Sequence, residues 1–283
     1  MSRDRHFRTL RLCARQELML AVRSRWTQLF AVVFGALALL VAASGYVLSG
    51  GSGIQDFSRT AASLMQLVLL LVPLTALVMG VLTLTPEKGS AELLFAQPVA
   101  RHDVLLGSLL GLFQALVAAQ SLGFGAAGLV IFARVGGDGL PGFAMVWAGS
   151  VVLTAVFLSL AALVSAGQFG RRRVRALAAA LVLWFVLALL VDVAALGAAS
   201  LLRSGHASRL LILSVLLNPI GAVRTGALLA IEGTAAFGAA SLALLRFTHG
   251  AGGAAAVLIA SLAAWIAVPA ILAVRRLSRV DIA

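Results

Sequence analysis

Long apolar runs alternate with short polar interruptions along the whole chain, and six of the runs are long enough to cross a bilayer: 27–49, 60–84, 104–133, 143–167, 176–202 and 252–274. About 20 apolar residues rise through roughly 30 Å of hydrocarbon as α-helix, the form in which a segment satisfies its own backbone polar groups. The pattern predicts an all-α integral membrane protein of six transmembrane helices, with residues 1–283 forming one membrane domain. Ahead of the first run, Phe7, Leu10, Cys13, Ala14, Leu18 and Ala21 recur at helical spacing among arginines. That spacing predicts an amphipathic interfacial helix within residues 1–26, apolar side in the acyl boundary and arginines among anionic headgroups. A basic tail that only sets topology has the same composition.

Two interruptions are longer than turns. Residues 203–251 hold an apolar stretch, Leu210 to Leu217, that Asn218-Pro219 breaks before it is long enough to span. Arg224, Glu232, Arg246 and several glycines follow. This predicts re-entrant or interfacial helices on the outer face, although two further spans would also fit and would keep the parity of crossings. Gly-Gly pairs at 50–51, 136–137 and 252–253 mark the ends of outer loops.

The second interruption, 85–103, lies between the second and third runs. Thr85-Pro86-Glu87 is a helix start, with a capping hydroxyl, a proline in the first turn and an acid near the positive end of the dipole. Ala91, Leu94 and Phe95 share one face, and Pro98 ends the segment. The product is a short helix with an uncovered apolar face, which fits either a protein partner or the membrane surface.

Charge then orients the chain. Hydrophobic residues make up 61% and charged residues 11% of 283 residues, the formal net charge is +12, and mean hydropathy is +1.06. In a membrane protein such a balance reports topology before it reports nucleic acid. Arginines cluster at 3–25, at 171–175 and at 275–279, while the remaining ones are dispersed. With six spans, the positive-inside rule places both termini and the loops near 85–103 and 168–175 in the cytoplasm. The first span is long enough to remain in the mature protein rather than act as a cleaved signal.

Candidate chemistry is sparse. Cys13 is the only cysteine, so no disulfide forms within one chain. Lys88 is the only lysine and no Gly-x-x-x-x-Gly-Lys-Ser/Thr occurs, so no P-loop for nucleotide is expected. His6, His102, His206 and His249 fall on different segments without a His-x-x-x-His pair, and no metal site is expected. Gly-x-Ser-x-Gly is absent, and no catalytic residue is assigned. Asp192 is the one acid placed inside a span, where it would line a polar path or lie near the helix end and reach outward.

Against this background Glu87-x-Gly89-Ser90-x-Glu92-Leu93-Leu94, followed by Pro98-Val99-x-Arg101 and Leu105-Leu106-Gly107-Ser108-Leu109-Leu110-Gly111, resembles the cytoplasmic signature of type-2 ABC transporter permeases. Arg15-Gln16-Glu17-Leu18 and Arg23-Ser24-Arg25-Trp26 are similar to the entry helix of that family. Ala100 and Ser108 depart from the pattern, standing where serine or glycine, and lysine, are usual. The resemblance implies a dimeric permease with no enzymatic activity of its own. Its coupling helix at 87–97 docks a separate cytoplasmic ATPase that carries the ATP and Mg. Glu87, Gly89, Ser90, Glu92, Leu93, Leu94, Phe95, Pro98 and Arg101 are then the ATPase-coupling residues.

A narrower likeness runs through Leu183-Trp184-Phe185, Asp192, Leu217-Asn218-Pro219, Arg224 and Glu232-Gly233. These residues are similar to the permeases of the transporter that serves nitrous-oxide reductase maturation. That likeness implies export of a small species for a periplasmic metalloenzyme, with a periplasmic accessory protein as a further partner. An exporter of a drug, lipid or glycan, and a stand-alone secondary transporter, are the alternatives.

Overall fold

The computed structural model describes residues 3–47, 53–85, 101–135, 140–166, 173–202, 204–231 and 239–278. They form α1 (Arg3–Arg23), α2 (Arg25–Val47), α3 (Gly53–Leu84), α4 (Arg101–Val135) and α5 (Leu140–Ala166). Then come α6 (Arg173–Ser200), α7 (Ser204–Leu217), α8 (Pro219–Ile231), α9 (Ala239–Phe247) and α10 (Ala251–Ser278). No strand occurs among the described residues. Six helices are long and apolar enough to cross a membrane, α2 to α6 and α10, and each of the six apolar runs of the sequence falls in one of them.

The segment after α6 does not supply two more straight spans. Helices α7 and α8 have 14 and 13 residues, about 21 and 20 Å of rise, short of the hydrocarbon thickness. They meet at Asn218 with a bend of 103°. A bend of that size makes the pair either a broken span or a re-entrant element. Asn218 makes the bend by capping α8. Its Oδ1 accepts from the Ile220 N–H at 3.1 Å, and its backbone carbonyl from the Ala222 N–H at 2.9 Å. Pro219 takes the first helical position, where a missing N–H costs nothing. The carbonyl of Leu216, orphaned at the end of α7, accepts from Ser261 Oγ at 2.7 Å and Trp265 Nε1 at 3.3 Å on α10.

Helix α5 is the most enclosed span and packs against α3, α10, α8 and α4. Three of its hydroxyls bond their own helix: Ser150 donates to the Trp147 carbonyl, Thr154 to that of Ser150 and Ser159 to that of Ala155, whereas the buried Ser165 hydroxyl has no partner among the described residues. Helices α6 and α10 are the least enclosed and turn Val182, Val193, Leu196, Ile259 and Val268 outward, as lipid-facing or partner-facing spans do.

Glycines set where helices cross. Gly35 on α2 and Gly123 on α4 meet so closely that a Cβ on Gly123 would lie 3.0 Å from the Gly35 Cα. At Gly107 and Gly111 the backbone of α1 lies against α4: a Cβ on Gly107 would come 2.5 Å from the Cys13 Cβ, and one on Gly111 would strike the Ala14 carbonyl. This small-xxx-small spacing admits a helix where any side chain would hold it off. The amphipathic stripe of α1 therefore has a protein partner. Leu10, Cys13, Leu18 and especially Ala14 and Ala21 are covered, whereas Phe7, outside the contact, stays exposed with Leu12 and Leu20.

The Gly252–Gly253 pair, expected at a loop end, lies in the first turn of α10, directly after the turn 248–250. A side chain on Gly253 would strike the Thr248 carbonyl. The chain reverses just before it, with His249 at φ 56 and Gly250 at φ 139, and the Gly250 N–H bonds the Leu245 carbonyl at 3.1 Å to close α9.

Candidate functional site

Two polar constellations stand out in an otherwise apolar bundle. The first lies at the base of the interruption between α3 and α4. Helix α1 reaches both helices that flank it. Near its start, His6 Nδ1 lies 2.7 Å from Asp103 Oδ2 in the first turn of α4. Three turns further on, the Thr83 hydroxyl, in the last turn of α3, donates to the Glu17 carboxylate. His102 Nε2 lies 3.1 Å from the other oxygen of Asp103. Asp103 is buried, and an acid there complements the positive end of α4.

Burial pushes the Glu17 carboxyl above its ordinary range, and the Thr83 hydrogen bond only partly opposes this. The Cys13 thiol is pushed up as well, by burial first and by the Asp103 charge second. A thiol held neutral in this way is a poor nucleophile and a poor metal ligand. Thr85, the last residue described before the interruption, is buried and bonds the Val81 carbonyl.

The second constellation is built on α6. Between Val186 and Leu190 the helix widens to i→i+5 pairing, so the Val191 N–H bonds the Val186 oxygen rather than that of Leu187. The displaced Leu187 carbonyl accepts from Asn218 Nδ2 at 2.9 Å, and the same amide donates to Asp192 Oδ1 at 3.3 Å. Asp192 Oδ2 pairs with Arg224 Nη1 at 2.7 Å. The cap of the bent pair α7–α8, the widened turn of α6 and one ion pair thus form a single network. Its charged side chains are 25% exposed for Asp192 and 34% for Arg224, so the pair is accessible from one side. One turn of α6 earlier, Trp184 Nε1 donates to the Leu70 carbonyl at 3.2 Å, in the turn that Pro73 loosens.

Of the residues expected to matter, Glu87, Gly89, Ser90, Glu92, Leu93, Leu94, Phe95 and Pro98 lie outside the described residues, as do Glu232, Gly233 and the Gly-Gly pairs at 50–51 and 136–137. Arg101 is the first residue of α4 rather than the end of a loop. Asp192 lies in α6, one of the helices long and apolar enough to cross a membrane, and pairs with Arg224. The sequence alone left Arg224 among dispersed arginines, and a widened helical turn has no letter pattern that separates it from ordinary helix. The histidines were expected to be scattered, yet His6 and His102 converge on Asp103. The available signal was the His102-Asp103 pair at the head of a helix carrying Gly107 and Gly111, the groove that brings α1 to it.

Comparison with known proteins agrees with this architecture. The family described as ABC-2 family transporter protein matches residues 12–282. A protein of Pseudomonas aeruginosa named probable ABC transporter permease protein NosY is 35% identical over 237 residues, covering 81% of this chain and 85% of that one. A protein of Stutzerimonas stutzeri with the same name is 34% identical over 270 residues, covering 92% of this chain and 94% of its own. With six apolar helices and a match along nearly its whole length, the chain belongs to the ABC-2 transporter family, as a multi-pass permease subunit of the bacterial inner membrane that pairs with an ABC ATPase.

Proposed function

We propose that this permease works as a dimer in nitrous-oxide reductase maturation, driven by an ATPase that docks on residues 87–97 at the cytoplasmic face. The observation that carries the coupling reading is the position of α1. By holding Thr83 at one end and Asp103 at the other, it braces both helices between which residues 86–100 are inserted. A push delivered to that insert reaches α3 and α4 together, and α3 and α4 both pack on α5 at the centre of the bundle. Both termini lie in the cytoplasm in this reading, because the arginine-rich stretches 3–25 and 275–279 then share the side of the ATPase.

The maturation role rests on the two NosY relatives. A periplasmic accessory protein is the further partner, and the cargo is a small species delivered outward. ATP and Mg bind on the ATPase, and no cofactor is assigned to this chain.

Two measurements test the reading. Leu94→Asp and Phe95→Asp are expected to abolish co-purification with the ATPase and ATP-dependent function; full retention of both in both variants would refute the coupling segment. Expression of the chain in a denitrifying strain lacking its own NosY permease should restore the copper-sulfide cluster of nitrous-oxide reductase, read from the enzyme's visible spectrum. Restoration of the ATPase complex without the cluster would reject the maturation role alone.

A further inference from the structure

We propose that His6, His102 and Asp103 form a binding site for a divalent first-row metal ion of the zinc class. The three residues offer one ligand atom each, and these atoms all lie within 4.8 Å of one another. Two imidazoles approach the two oxygens of one carboxylate from different helices, His6 from α1 and His102 from α4, with ring centroids 5.6 Å apart. Two imidazole nitrogens and a carboxylate oxygen are the donors that zinc and its neighbours accept, whereas magnesium and calcium take shells of oxygen alone.

The burial pattern suits an ion entering from water. The Asp103 side chain is 6% exposed, while those of His6 and His102 are 37% and 48% exposed, so solvent reaches both rings. Cys13 lies two turns beyond His6, but its thiol is not among the clustered donors. Small rotations of the two rings open the 2.7 and 3.1 Å contacts toward the wider spacing of ligands around one ion. The ion then fastens α1 to the first turn of α4.

The test uses the full chain, purified without a histidine tag in detergent or nanodiscs, and titrated with Zn²⁺ against a competing chelator and with Co²⁺ for its visible d–d bands. One ion per chain is expected. His6→Ala and His102→Ala should each weaken binding at least about tenfold and bleach the cobalt bands, while His206→Ala changes neither. Helical content by circular dichroism is measured on each variant; half-exposed His102 is the replacement the fold tolerates best. Failure of the native chain to bind one equivalent, or equal affinity in the His6 and His102 variants, overturns the site.

Discussion

Arg224 on α8 pairs with Asp192 on α6 at 2.7 Å, on the far side of a helical turn that has gained one residue. Each charge is the other's reason for being tolerated so close to hydrocarbon. Asp192→Ala is expected to lower stability by about 1–3 kcal/mol, below the usual cost of breaking a fully buried pair because both groups keep some water. The double variant Asp192→Leu/Arg224→Met should regain most of that loss. Denaturation of the single and double variants in the same detergent, set out as a cycle, checks both statements.

Asn218 holds three acceptors and donors together, so its loss should be felt on two helices. Asn218→Leu removes the cap of α8 and leaves the Leu187 carbonyl unpaired inside α6. The expected cost is about 1–3 kcal/mol, larger than that of Asn218→Ser, which keeps a capping oxygen and brings no second charge beside Asp192. Thermal unfolding of the two variants side by side distinguishes them.

The docking of α1 depends on bare backbone at Gly107 and Gly111. Gly111→Val should cost about 1–3 kcal/mol of docking, which raises the detached population roughly five- to 150-fold. Cys13, the only cysteine, reports this directly. It faces α4 beside Gly107, so its alkylation rate at fixed pH should rise in the variant and stay unchanged in Ser108→Ala.

Glu17 gives α1 a pH dependence of known sign. Its folded-state pKa is raised from 4.5 by burial, so the folded state binds more protons than the unfolded one between those two values. The stabilising contribution is complete below about pH 4.5 and is lost as pH rises through the raised value. Glu17→Gln removes this dependence. The melting temperature of the native chain should therefore fall relative to that of the variant as the pH is raised from acid to neutral.

Lipid is a strict reader, which is why the spans were legible: a segment that crosses must carry its apolar residues in one unbroken run, and all six runs are visible as letters. The bend at Asn218 was legible too, because proline forbids the helix from continuing. What escaped were relationships rather than elements. The partner of Asp192 lies 32 residues further along and becomes adjacent only after the chain has bent at Asn218. The stripe on α1 was visible, but helical spacing states only that a face is apolar, not whether lipid or protein covers it; Gly107 and Gly111 decided that. His6 and His102 had no motif spacing, since the groove that joins them is formed by a different pair of residues.

The contacts His6–Asp103, Cys13–Gly107, Glu17–Gly111 and Gly35–Gly123 rise together along α4, so α1 and α2 both wait for a helix made after them. Until Gly111 has been synthesised, the covered stripe of α1 has no protein to lie on, and the apolar phase at hand is the membrane surface. The docked position of α1 therefore depends on glycines that lie in a later part of the chain.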